Sequence, residues 1–320
     1  MEKAYTNKNV VVVTNPRMYR GGGIATATES LFSDKFPILK SPNLVTEQLL
    51  KFETILFSGF EPHWADEVLV LKENNKKVLI YWHFGMPMLT EPPLLKAFEK
   101  MNSLALDGLV DNIVFCKEGM KESYASLYPG LNTFFLLKNL PWGKFRNTSK
   151  KEKIGIYIGS GGSEYWVKNA FTAVAAAAMT DRTIDFLPLD RDLVQWAEQF
   201  GAKFTGEYFS LQYEDFIRRL STECELALNI SFTETSPMLP LEALNNGVLC
   251  LTGNNHHFWR EVPALREFLV VDTPDDPYSV YLKIEVALAN KEEILRLYEE
   301  WKTDYDIRSD KNMSEFLALL

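Results

Sequence analysis

Two glutamates stand eight residues apart in FTETSPMLPLEALNNG, residues 232–247: Glu234 and Glu242. Between them, Ser236 followed by Pro237 reads as a helix start, with serine as the N-cap and proline at the first helical position, where its missing N–H costs nothing. Gly247, after Asn245 and Asn246, reads as the stop. On that reading Glu234 lies in the loop at the carboxyl end of the apolar run LALNISF (226–232), and Glu242 lies five residues into the helix, roughly 7–8 Å along its axis. The first turn, formed by Ser236, Pro237, Met238 and Leu239, then presents free N–H groups and the positive end of the helix dipole to an anion. A ligand with a negative centre and hydroxyl-rich ends fits this arrangement. A nucleotide sugar is such a ligand, with one carboxylate toward the sugar hydroxyls and the other toward the ribose. The same two acids also read as an exposed loop acid and a surface helix acid, since acids are common near helix starts.

The elements that must position these residues follow from the pattern of apolar runs. Short β-rich runs at 9–14, 53–59, 77–83, 112–117 and 133–139 alternate with amphipathic stretches, the β–α rhythm of a doubly wound sheet. The segment LPWGKFRNTSKKEK (140–153) is basic and broken by proline and glycine, and reads as an interdomain linker. The rhythm restarts with runs at 154–160, 183–189, 203–208, 226–232, 248–253 and 268–272, each nearly continuous in apolar residues, as central parallel strands are. The expected organisation is α/β: a Rossmann-like domain over 1–150, a second over 151–300 and a helix over 301–320 that returns to the first domain. Two such sheets are expected to face a cleft, where doubly wound folds bind ligands.

Composition narrows the classes. With 320 residues, 46% of them hydrophobic, the chain can bury a full core, and its length fits two domains. Its formal charge of −9 argues against a dedicated nucleic-acid binder, and the charge is split: net +3 over residues 1–150 and −12 over 151–320. Cys116, Cys224 and Cys250 are far apart in apolar runs, which points away from a disulfide framework and toward a reducing, cytoplasmic setting. The most apolar segment, AFTAVAAAAM (170–179), is too short to span a bilayer, so no transmembrane segment is expected. His256 and His257 have no metal-ligand spacing with other residues, and no metal is expected.

The stretch from Phe204 through Asn254 resembles the nucleotide-binding domain of GT-B glycosyltransferases, specifically the large retaining, family 4-like group (glycosyl transferases group 1). Gly206, Ser231, Glu234, Pro240, Glu242, Ala243 and Gly247 all fall on the family pattern of a glycine-ended strand, a serine-ended strand and Glu-x7-Glu. The resemblance is specific over roughly 150–290 and weaker over the first half. It implies a retaining transfer of a sugar from a nucleotide-sugar donor, most simply a UDP-sugar, to a hydroxyl, with no cofactor or metal and with front-side displacement at the reacting carbon.

Further positions carry roles by that resemblance. Lys168, in IGSGGSEYWVKNAF (158–171), matches the lysine on the donor diphosphate, and Gly161 belongs to the same loop. Ser163 stands where the family has an arginine, a departure for which Arg17 or Arg20 could substitute. Gly21, Gly22 and Gly23, between the first strand and a helix, match the loop under the donor phosphates. His83, in IYWHFG, matches the strand-end histidine near the donor sugar, and Asn139 matches an asparagine that holds the linker. Glu234, Lys168 and His83 are thus the candidates for catalysis, and the three loop glycines, Gly161, Ser236 to Leu239 and Glu242 those for donor binding. The acceptor could be a glycan, a lipid-linked sugar with peripheral membrane contact, or a modified base in phage-type DNA. Rival readings are a non-catalytic sugar-nucleotide-binding partner subunit, motivated by Ser163, and a GT-B epimerase, which needs additional acid and base carboxylates.

Overall fold

The structure, a computed structural model, describes residues 9–15, 23–138, 152–157, 164–187, 190–206 and 213–320. The chain divides into two units: unit 1 is Met1–Pro141 with Tyr305–Leu320, and unit 2 is Trp142–Asp304. Each is built on its own six-stranded parallel sheet. This is the α/β, two-domain Rossmann-like architecture that the alternating apolar runs imply.

In unit 1 the strands are β1 (Val10–Thr14), β2 (Ile38–Lys40), β3 (Thr54–Ser58), β4 (Lys77–Trp82), β5 (Asn112–Phe115) and β6 (Thr133–Phe135). They lie in the order β2-β1-β3-β4-β5-β6. Every residue of β1 and β3 is buried, as expected of central strands covered on both faces. The short edge strand β2 has no run of its own in the sequence and was not foreseen there; its pairing with Val12, Val13 and Thr14 of β1 makes it a strand.

Unit 2 contains β7 (Lys153–Tyr157), β8 (Thr183–Leu187), β9 (Phe204–Gly206), β10 (Cys224–Asn229), β11 (Leu249–Gly253) and β12 (Val270–Val271). Their order is β12-β11-β10-β7-β8-β9. The run expected at 268–272 yields only a two-residue strand, because Phe268 and Leu269 close the helix Pro263–Leu269 instead. Asp185 of β8 is fully buried in this core and accepts from Arg219 Nε at 2.9 Å, Arg219 Nη2 at 2.7 Å and Thr205 Oγ1 at 2.9 Å. A buried carboxylate is tolerable only with such a set of partners.

The helix Ala170–Ala178 turns Ala170, Ala173, Val174, Ala176 and Ala177 into the core of unit 2; their small side chains let its backbone approach the sheet. Among the described residues no helix is long and apolar enough to cross a membrane. The last helix, Lys291–Leu317, buries Ile294, Tyr298 and Trp301 in its unit 2 portion, where the Trp301 ring lies 4.6 Å from that of Trp259. From Tyr305 onward it belongs to unit 1. There the Tyr305 hydroxyl donates to the Lys138 carbonyl at 2.7 Å. Asn312 donates to the Phe135 carbonyl at 2.9 Å and accepts from the Leu137 amide at 2.7 Å, so one side chain satisfies backbone at and just beyond β6.

Candidate functional site

The strand order of unit 2 identifies where a ligand would sit. The chain runs from β7 outward through β8 and β9, then returns to place β10 on the other side of β7. The connections leaving β7 and β10 therefore part in opposite directions. Such a topological switch point leaves a crevice at the carboxyl ends of the two strands, and this order is that of the dinucleotide-binding fold.

Two segments meet at that point, 166–169 after β7 and 230–236 after β10. The Phe232 amide donates to the Val167 carbonyl at 2.9 Å, and the rings of Trp166 and Phe232 lie 5.5 Å apart. Asn169 Nδ2 donates to the Ile230 carbonyl at 3.4 Å and also to the Pro274 carbonyl. Asn169 has φ 54°, a left-handed backbone that asparagine and glycine accept more readily than other residues. That turn aims Lys168 at the other segment: its Nζ is 2.7 Å from Glu234 Oε1, with only 18% and 14% of the two side chains exposed. Ser231, fully buried, also donates to Glu234 Oε1 at 2.8 Å. The Lys168 ammonium lies 5.8 Å from the centre of the Tyr157 ring. A cation and a carboxylate thus stand side by side, a pair able to meet a phosphate oxygen and a hydroxyl of one ligand.

The helix after Glu234 does not start where Ser-Pro suggests. It spans Leu239–Asn245 with Met238 as N-cap and no side-chain cap, and Ser236 Oγ is buried without a hydrogen-bond partner. The reason is Pro240. With Ser236 as N-cap, Pro240 would fall at the fourth helical position, where its ring meets the Ser236 carbonyl and no N–H is available for the first helical bond. Starting at Leu239 moves Pro240 to the second position, where an N–H is not needed. The expected row of free amides shrinks accordingly. Pro237 and Pro240 have none, and the Leu241 and Glu242 amides both donate to the Met238 carbonyl at 3.0 Å.

Glu242 is consequently the fourth residue of this helix rather than the sixth, and it is 3% exposed. Burial removes the reading of the two glutamates as solvated surface acids. Both lie close enough to Cys250 of β11 to act on it: burial first, then Glu242 and Glu234, push its thiol far above the usual cysteine range. Cys250 is therefore an inert packing residue.

The loop after β11 supports the same segment. Asn255 Nδ2 donates to the Ser231 carbonyl, and a Cβ at Gly253 would lie 2.5 Å from that oxygen, so only glycine admits the approach. Asn169, Gly253 and Asn255 were not singled out in the sequence. An asparagine after Lys168 is a readable sign of left-handed backbone, whereas the other two depend on a contact that strand order creates.

Unit 1 has its own switch point, between β1 and β3. Asn15, just past β1, donates to Glu61 Oε1 at 2.9 Å, just past β3. His83 follows β4, buried, with its Nε2 2.9 Å from Ser58 Oγ and its ring 4.1 Å from that of Tyr81. Burial, and then the Lys138 charge, hold its pKa well below the usual histidine value, so the ring is neutral at neutral pH. Gly23 opens the helix Gly23–Phe32. Gly21, Gly22, Gly161, Ser163, Arg17, Arg20 and Asn139 lie outside the described residues. Among those described, no group of three or more His, Cys, Asp or Glu side chains is placed to hold a metal ion.

No protein-family model matches the sequence, and no curated protein matches it. Solved structures do. HepE from Anabaena, in complex with UDP and glucose, aligns over 97% of this chain and 100% of its own, with a TM-score of 0.67 at 11% identity. A glycosyltransferase from Rickettsia africae aligns over 98% of each chain, with a TM-score of 0.66 at 11% identity. Sucrose-phosphate synthase from Thermosynechococcus elongatus aligns over 97% of this chain and 100% of its own, with a TM-score of 0.61 at 12% identity. With two parallel six-stranded sheets, and a likeness to these structures over nearly its whole length, the chain has the GT-B fold.

Proposed function

We propose that the protein is a retaining glycosyltransferase that moves a sugar from a nucleotide-sugar donor, a UDP-sugar, to a hydroxyl acceptor in the cytoplasm. The observation that carries this reading is the Lys168–Glu234 pair, set across the switch point of a dinucleotide-binding sheet. Lys168 meets the donor diphosphate and offsets the charge that builds on it as the anomeric C–O bond breaks. Glu234 accepts from the sugar hydroxyls and Glu242 from the ribose, and the family resemblance assigns His83 a catalytic role as well. The family resemblance assigns Gly21, Gly22, Gly23 and Gly161 to donor binding. The acceptor oxygen forms its new bond to the anomeric carbon on the face the diphosphate leaves, and its proton passes to a diphosphate oxygen. No metal enters this scheme.

The likeness to HepE, solved with UDP and glucose, supports the choice of nucleotide. A mildly basic first half, net +3 over residues 1–150, suits an acceptor that carries phosphate, such as a lipid-linked sugar or a nucleic-acid hydroxyl, as well as a glycan. Ser163, in the place of the family's arginine, favours one other reading, a sugar-nucleotide-binding subunit with little turnover of its own.

Incubation of the purified protein with a panel of UDP-sugars and acceptors tests the proposal. UDP release with a new α-linkage from an α-linked donor supports it. Tight UDP-sugar binding without turnover selects the binding subunit, and absence of nucleotide binding overturns both.

A further inference from the structure

Two buried side chains at the carboxyl end of β10 lead to Glu234. Asn229, the last residue of β10, and Ser231 stand two positions apart, a spacing that keeps side chains on one side of an extended chain. Asn229 is 4% exposed and Ser231 is completely buried, so bulk water does not reach the serine hydroxyl. Ser231 Oγ lies 2.8 Å from Glu234 Oε1 and 3.2 Å from Asn229 Oδ1. Both oxygens are acceptors, and a serine hydroxyl has a single hydrogen. The two contacts compete for it. Glu234, ion-paired with Lys168, is a carboxylate, and a hydroxyl bonds a charged acceptor more strongly and at shorter range than an amide oxygen. The hydrogen therefore goes to Glu234. The contact with Asn229 is then a hydrogen bond only if the amide supplies the proton. Half a turn about the last bond of the asparagine exchanges Oδ1 for Nδ2, a group of nearly the same shape that donates, and Ser231 Oγ retains a lone pair to accept it. Asn255 does not compete for the hydroxyl, because it bonds the Ser231 carbonyl.

We propose that Asn229 is a positioning residue of the donor site: its amide donates to Ser231 Oγ, Ser231 donates to Glu234 Oε1, and this directed chain fixes the plane in which the Glu234 carboxylate meets the sugar. A lysine ammonium is a point charge with rotatable donors on a flexible stem, so Lys168 holds the carboxylate close without setting its orientation. The serine sets it, and the asparagine keeps the serine from turning away. The proposal rests on the glycosyltransferase reading in one respect, that Glu234 faces the sugar of a bound donor. The chain itself follows from the count of hydrogens.

The test joins NMR of the side-chain amides, on asparagine-labelled full-length protein, with calorimetry of UDP and a UDP-sugar on wild type, Asn229→Ala, Ser231→Ala and the double variant. Asn229→Ala identifies the Asn229 signal by its loss. In wild type one Nδ2 proton of Asn229 is expected downfield of the other asparagine amides, and Ser231→Ala should return it to the ordinary range. Asn229→Ala should weaken the UDP-sugar about tenfold and UDP by about twofold or less, and in the Ser231→Ala background it should add nothing further. If Asn229→Ala does not fold, Asn229→Asp, which keeps the shape and loses the donor, takes its place. An Asn229 amide without the downfield proton, a shift unchanged in Ser231→Ala, additive losses in the double variant, or equal losses for UDP and the UDP-sugar would each overturn the proposal. Failure of the wild type to bind any UDP-sugar overturns the functional reading, and with it the role toward a sugar, while the NMR result separately decides the chain.

Discussion

Lys168 Nζ and Glu234 Oε1 are 2.7 Å apart although 66 positions separate them in the chain, and Ser231 donates to the same carboxylate oxygen. Lys168→Ala removes the cation while leaving Glu234 its serine partner. The expected result is a loss in kcat of about a hundredfold with a UDP-sugar, against about tenfold or less in UDP affinity, because the lysine acts mostly on charge that grows as the bond breaks. Steady-state kinetics beside calorimetry measure both. Full kcat in this variant would remove Lys168 from the mechanism.

The two glutamates are expected to differ. Glu234→Gln turns an acceptor-only group into one that also donates, and should change which sugar is accepted. Glu242→Gln, chosen because the site is too buried for truncation to be clean, should weaken UDP with or without a sugar attached. A lost charged hydrogen bond is worth roughly 1.5–3 kcal/mol, or about tenfold or more in affinity. Equal, small effects on every ligand in calorimetry would leave both acids with a structural role only.

Asn169 separates backbone conformation from hydrogen bonding. Asn169→Gly and Asn169→Ala lose the same bonds to Ile230 and Pro274, but only alanine resists φ 54°. The alanine variant should therefore be less stable than the glycine variant by about 1 kcal/mol or more in urea unfolding. Equal stabilities would mean that the turn relaxes away from its left-handed form.

His83 gives unfolding a pH dependence of known sign. Its folded pKa is well below the ordinary value, through burial first and Lys138 second. Below about pH 6.5 the unfolded chain takes up a proton that the native ring refuses, so its contribution is fully present above that pH and is lost as pH falls toward the folded pKa. The loss approaches about 1.4 kcal/mol per pH unit, and His83→Asn should lack it. The difference between the two proteins in urea unfolding from about pH 7.5 to about pH 5 isolates this group. Parallel curves would show that His83 is protonated in the native state.

Taken alone, the sequence determined the elements whose signals are local. Runs such as VVVVT and VLCLTG are apolar throughout because strands covered on both faces allow little else, and they are read without knowing their neighbours. The positions of Lys168 and Glu234 after the first and fourth strands of the second half were legible for the same reason. Only the tertiary structure decided that those two strands are adjacent, which joins residues 66 apart into one site. It also moved the helix start from Ser236 to Met238, where the steric demand of Pro240 outweighs the capping preference of the Ser-Pro pair. Ser58 and His83 come from separate segments, and Asn255 meets Ser231 across neighbouring loops. Propensity and periodicity act over a few residues, whereas these contacts depend on strand order, and that order is set by how the whole core packs.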